Sequence, residues 1–150
     1  MGVASNAFGT NDSSLRLPQP RLSEASFHGA DGTKISGLTD GRLYESIGTR
    51  VFFTYRSGGV SLAPYSTLNL SRTVGDAESD VLENQRRLLF AFGAGDVDGL
   101  VQPNQVHGKE VLVVDDVAAT QRRAQAGADG IVCTRAGVPV LLCFADCTPV

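Results

Sequence analysis

A chain of 150 residues, 42% of them hydrophobic, can bury one core and is too short for two ordinary domains. Its formal net charge of −3 gives no electrostatic reason to expect nucleic acid or an anionic membrane as partner, although a small cationic pocket for phosphate is compatible with that charge. No apolar run reaches the ~18 residues that span a bilayer, no basic-then-apolar secretory signal opens the chain, and the cysteines, Cys133, Cys143 and Cys147, are odd in number, so a cytoplasmic protein with reduced thiols is expected.

Residues 1–46 read as a poorly ordered N-terminal extension, rich in Gly, Ser, Asn and Pro and without periodicity. The domain proper is expected over 47–150, with order beginning near Arg50. Residues 51–55 are β-branched and aromatic and predict a strand, which Ser57-Gly58-Gly59 ends in a turn. A loop follows through Leu70. Val81, Gln85, Leu88, Leu89 and Phe92 then recur at helical spacing. Ser79 or Asp80 can cap that helix, Asp80 with Glu83 resembles a capping box, and Gly93 is a natural stop. Short strands are expected at 99–102, 111–114, 130–134 and 138–145, with a short helix or loop over 117–125. The last segment is apolar on both faces, which predicts a central strand buried on both sides.

Several segments carry candidate chemistry: 54–61 (TYRSGGVS), 105–108 (QVHG) and 145–150 (ADCTPV), with 66–70 (STLNL) and 74–76 (VGD) between the first two. Imidazole nitrogen and thiolate sulfur are zinc donors, and a catalytic zinc takes three protein ligands and leaves a position open. His107 and Cys147 fit that chemistry; by themselves they read more readily as a turn histidine and a buried, inert thiol. Arg56 stands before two glycines, where a guanidinium can grip phosphate and backbone can approach an anion; the plain alternative is a surface arginine in a hairpin. Ser61 and Asn69 are ordinary turn residues. Gln105 supports the loop that presents His107, and Asp146 can hydrogen-bond a ligand or orient water. Asp76 reads as a helix-start residue, and Cys133 and Cys143 as core cysteines. Zinc ligation competes with a further alternative, a cysteine hydrolase with Cys147 as nucleophile and His107 as base.

Taken in order, these segments resemble the laccase-domain family, also called multicopper polyphenol oxidase-like, which includes purine nucleoside phosphorylases. Its pattern runs TxRxGGVS, SLNL, VGD before a helix, QVHG and ADCxPV, and the likeness covers about Val51 to Val150. The chain departs from it at Leu70-Ser71, where a glycine usually follows NL, and at Asn84-Gln85, where Asn-Arg is usual. The resemblance implies an α/β (α+β) fold, with mixed sheets and flanking helices. It implies a zinc site, ahead of copper, made by His107, Cys147 and a second histidine from a downstream HxGWRG-like segment. The other histidine here, His28, lies outside the likeness, so the chain is expected to be a fragment that lacks the third ligand.

The implied reaction is phosphorolysis of adenosine, inosine and related nucleosides, with adenosine deamination on the same site. Arg56, Ser61, Asn69, Gln105 and Asp146 would surround substrate and phosphate. A copper-dependent phenol oxidase is the alternative in the family's name; several coppers need many histidines, and this chain has two. A truncated homologue acting as a scaffold is the non-enzymatic alternative.

Overall fold

The computed structural model describes residues 19–145. Its architecture is mixed α/β: an antiparallel three-stranded sheet, a parallel strand pair, and helices packed outside them. Among the described residues no helix is long and apolar enough to cross a membrane.

Order begins well before Arg50. Strands β1 (Ser23–His28) and β2 (Lys34–Thr39) form an antiparallel hairpin in which Ser26 faces Ser36 and Phe27 faces Ile35. The turn is closed by Gly29 N–H donating to the Thr33 carbonyl at 2.8 Å and Thr33 N–H donating to Asp31 at 2.9 Å. The polar, glycine-rich composition of this stretch therefore serves a hairpin, and the expected loose packing is corrected for its described part. Ile35, fully buried, is a core residue. Asp40 then caps α1 (Gly41–Ile47), accepting from the amides of Arg42 and Leu43, and also accepts from Arg21 N–H.

Strand β3 (Phe52–Thr54) pairs antiparallel with β2, Gly37 facing Thr54. A Cβ on Gly37 would overlap the Phe53 carbonyl, so the strand crossing requires glycine. Helix α2 (Glu78–Phe92) lies against this sheet. Phe92 stacks on Phe52 at 5.3 Å between centroids and meets Phe27 edge-on at 5.2 Å. Leu88 joins Ile35, Leu68 and Leu70 in the first core cluster. Neither Ser79 nor Asp80 caps α2. The cap position is Ala77, without a side-chain bond, while Glu78 and Asp80 occupy the first turn, where their charge suits the helix dipole. Glu83 pairs with Arg86 and Arg87 instead of closing a capping box, and Arg87 also reaches Asp31 in the β1–β2 turn at 3.4 Å.

The parallel unit consists of β4 (Val111–Val114), α3 (Val117–Ala124) and β5 (Gly130–Cys133). Asp116 caps α3 through Ala119 N–H at 2.7 Å. Leu112, Ala124 and Ala128 form the second core cluster. Of the strand expected at 99–102, Gly99 ends a 3₁₀ turn, Val97–Gly99, and Val101 makes one parallel bridge to Val140. Residues 138–145 do not form a strand buried on both faces: Val140 and Phe144 are each 46% exposed. Leu141 and Cys143 turn the other way and pack against the first core cluster, so among the described residues the segment is covered on one face and exposed on the other.

Candidate metal and phosphate site

The segment that follows β3 winds around residues 66–69. The Arg56 carbonyl accepts from Thr67 and Leu68 N–H at 2.9 and 3.0 Å, and its Nε donates to the Ser66 carbonyl at 3.1 Å. The rest of its guanidinium is exposed and makes no hydrogen bond to a described residue. The glycines beside it do something other than cradle an anion. Gly58 and Gly59 N–H both donate to Thr67 Oγ1, at 3.1 and 3.2 Å. Gly58 has φ +99, and a Cβ on Gly59 would overlap the Thr67 carbonyl and Asn84 Oδ1. The glycines exist for close backbone packing, which fixes where Arg56 starts.

Helix α2 holds this loop through one side chain. Asn84, fully buried, accepts Val60 N–H at 2.8 Å and donates to Ser61 Oγ, the Thr67 carbonyl and the Asn69 carbonyl at 2.8, 3.2 and 2.9 Å. Ser61 Oγ donates to Asp76 at 2.6 Å, and Asn69 Nδ2 donates to the same oxygen at 3.0 Å. These two bonds from Ser61 and Asn69 hold the Asp76 carboxyl below the ordinary 3.8. Ser61 is 1% exposed with its hydroxyl already donating and accepting, and Asn69 spends its amide on Asp76 and Ser71. Ser61 and Asn69, expected beside substrate, are here struts of the loop that carries Arg56, Ser61 buried and Asn69 half-buried. Asp76 precedes α2, as expected, and accepts Ala77 N–H at 2.9 Å.

The next residue on α2 extends the network. Gln85, also fully buried, donates to the Leu70 carbonyl at 2.9 Å and to Gln102 Oε1 at 2.8 Å, and accepts from Arg72 at 3.0 Å. Gln102 donates to the same Leu70 carbonyl at 2.9 Å and to Cys143 Sγ at 3.4 Å. Gln105 Oε1 accepts Cys143 N–H at 2.7 Å. This last bond joins the segment before His107 to the segment that runs toward Cys147. Gln105 is thus a support, with its carbonyl spent on backbone. Burial pushes the Cys143 thiol up and the Gln102 bond only partly offsets it, which suits a core cysteine and not a thiolate ligand.

His107 is exposed on the loop after Gln105 and is left-handed, with φ +57, unusual for a residue with a Cβ. Asp146 and Cys147 lie outside the described residues. Among the described residues no three His, Cys, Asp or Glu side chains gather as a metal site. A shallow groove of about 460 Å³ between α2 and α3 is lined by Arg72, Leu82, Asp98, Gln102 and Gln121, among others; neither Arg56 nor His107 borders it.

Residues 50–150 match the family described as multi-copper polyphenol oxidoreductase laccase, two thirds of the chain. The chain belongs to that family. This laccase-family chain is 38% identical over 101 residues to a purine nucleoside phosphorylase of Corynebacterium glutamicum, an overlap of 67% of this chain and 40% of the relative. It is 43% identical over 98 residues to a purine nucleoside phosphorylase of Streptomyces griseus, covering 65% and 39% of the two. The crystal structure of YlmD from Geobacillus stearothermophilus superposes with a TM-score of 0.56 at 36% identity, covering 64% of this chain and 37% of that one. The chain thus spans about 40% of the length of the curated relatives it matches.

Two residues that support this laccase-family site, Gln85 and Asp129, were not assigned that role by the motifs. Gln85 stands in the sequence as the polar member of the set Val81, Gln85, Leu88, Leu89 and Phe92, a pattern that signals a buried polar hub when partners are available. Asp129 stands in an ordinary Ala-Asp-Gly turn before β5, and its role depends on contacts with a loop more than twenty residues earlier in the chain.

Proposed function

We propose that this chain is part of a zinc-dependent purine nucleoside phosphorylase, with His107 and Cys147 as two metal ligands and Arg56 as the phosphate-binding cation. One observation carries the reading. The ordered motifs extend through a region 38–43% identical to proteins named purine nucleoside phosphorylase, and the QVHG loop is bonded through Gln105 to the segment leading to Cys147. The donor set fits zinc: an exposed imidazole on a fixed loop and a cysteine a few residues beyond that bond. Zinc there would supply Lewis-acid polarisation of a bound oxygen.

In phosphorolysis a phosphate oxygen forms a bond to C1′ of the ribose and the C1′–N9 bond breaks. Its electron pair leaves with the purine, which takes up a proton, giving free base and ribose 1-phosphate. Arg56 would hold phosphate and offset the charge gathered on it, from a backbone that Ser66, Thr67 and Leu68 keep in place. Asp146 would orient substrate or water. Adenosine deamination on the same site is the finer extension: water adds at C6 of adenine and ammonia leaves. Copper oxidation of phenols is less well supported, because a thiolate–imidazole pair suits zinc.

The test incubates the full-length protein with adenosine and with inosine, with and without phosphate. Phosphate-dependent release of adenine or hypoxanthine is the expected result, and inosine from adenosine would add deamination. Absence of both free base and inosine overturns the proposal.

A further inference from the structure

The loop that carries His107 is stitched to the turn between α3 and β5 along its whole length. Asn104 N–H donates to the Ala124 carbonyl at 3.0 Å, and Ala128 N–H returns a bond to the Asn104 carbonyl at 2.9 Å. Further on, Asp129 and Gly130 N–H both donate to the Glu110 carbonyl, at 2.9 and 3.2 Å. Between these ties sits the Asp129 carboxylate. Its Oδ1 accepts Val106 N–H at 2.9 Å and His107 N–H at 2.8 Å, and its Oδ2 accepts Gly108 N–H at 2.7 Å. Consecutive amides converge in this way when one residue of the run is left-handed, and such a concavity ordinarily takes an anion. Here the anion is the protein's own, so this nest is not a phosphate site. The left-handed residue is His107 itself. A residue with a Cβ keeps that conformation only where its surroundings over-determine it.

We propose that Asp129 is a positioning residue that fixes the direction of the His107 imidazole by locking the backbone of residues 106–108. The proposal rests on the reading of His107 as a metal ligand. Asp129 is not a ligand in this account, because both its oxygens are engaged by amides. Neighbouring packing agrees: Gly127, at φ +109, lies so near Val106 that a Cβ would come within 2.9 Å of Val106 Cγ1.

The experiment titrates the metal-free full-length protein with Co²⁺, reading the d–d absorption, and measures hydrogen exchange of the 106–108 amides. It compares wild type with Asp129→Ala, Asp129→Asn and His107→Ala. Asp129→Asn keeps an oxygen for Val106 and His107 and loses only the acceptor for Gly108, so it serves if Asp129→Ala does not fold. Weakening of Co²⁺ binding by about 10-fold to 100-fold in the Asp129 variants, with faster exchange at 106–108, is expected. Wild-type affinity in the Asp129 variants, where His107→Ala has lost binding, overturns the proposal. Should His107→Ala bind Co²⁺ as tightly as wild type, the ligand reading fails on its own, and exchange at 106–108 still decides whether Asp129 fixes the loop. Unchanged protection there overturns the positioning role.

Discussion

Asn84 shows how much one side chain can organise. It is fully buried, and its two donors and one acceptor oxygen serve Val60, Ser61, Thr67 and Asn69. Truncation leaves two of these groups, the Val60 N–H and the Asn69 carbonyl, without a partner among the described residues, and each costs about 1–3 kcal/mol. Asn84→Ala in the full-length protein is therefore expected to lose on the order of 2–4 kcal/mol, read from urea unfolding; a midpoint shared with wild type would contradict the hub. Asp76 adds a pH dependence. Its pKa is lowered below 3.8 by Ser61 and Asn69, so the carboxylate stabilises the fold above the unfolded value. That contribution is lost as pH falls through the folded value. Ser61→Ala removes the first of the two causes, so acid unfolding should begin at a higher pH, followed by circular dichroism; an unshifted acid limb would refute the assignment.

The two longer helices make opposite predictions about capping. Helix α3 has Asp116 at its cap, and Asp116→Ala should cost about 0.5–2 kcal/mol. Helix α2 has an exposed Ala77 in extended conformation with no side-chain bond, so Ala77→Ser should gain up to about 1 kcal/mol. Thermal unfolding of the two variants checks both signs. The positions of β3, α2, β4 and β5 were legible in the sequence because apolar period and glycine stops are local signals, while the stretch of α3 read as either helix or loop. The α2 start was not, because Ser79 and Asp80 each look like a cap, whereas the backbone enters the helix at Ala77, which has no polar side chain to signal it. The β1–β2 hairpin was missed for a related reason. Its composition is that of a loop, and only pairing with β3, set by Gly37 and Phe53, makes it a sheet. Residues 138–145 failed in the other direction, since an apolar run states that a segment wants covering and not which neighbour covers it.

At the scale of the molecule, the network runs from the Arg56 loop through Asn84 and Gln85 of α2 to Gln102, Gln105 and Cys143, and so links both candidate functional loops to one helix. The motif order made Arg56, His107 and Cys147 legible as candidates. Which polar residues face a ligand and which hold the loops was not legible, because Ser61, Asn69 and Asp129 differ from ordinary turn residues only through long-range bonds. The chain spans about 40% of its relatives' length, so the proposed function is tested on the full-length protein, and several tests are direct. The most direct of these is the zinc content of that protein, purified without chelator, measured by atomic emission for wild type, His107→Ala and Cys147→Ala. The account predicts about one zinc per chain in wild type, as expected of a single catalytic site, and its loss in both variants. Zinc retained in full by both variants would contradict it.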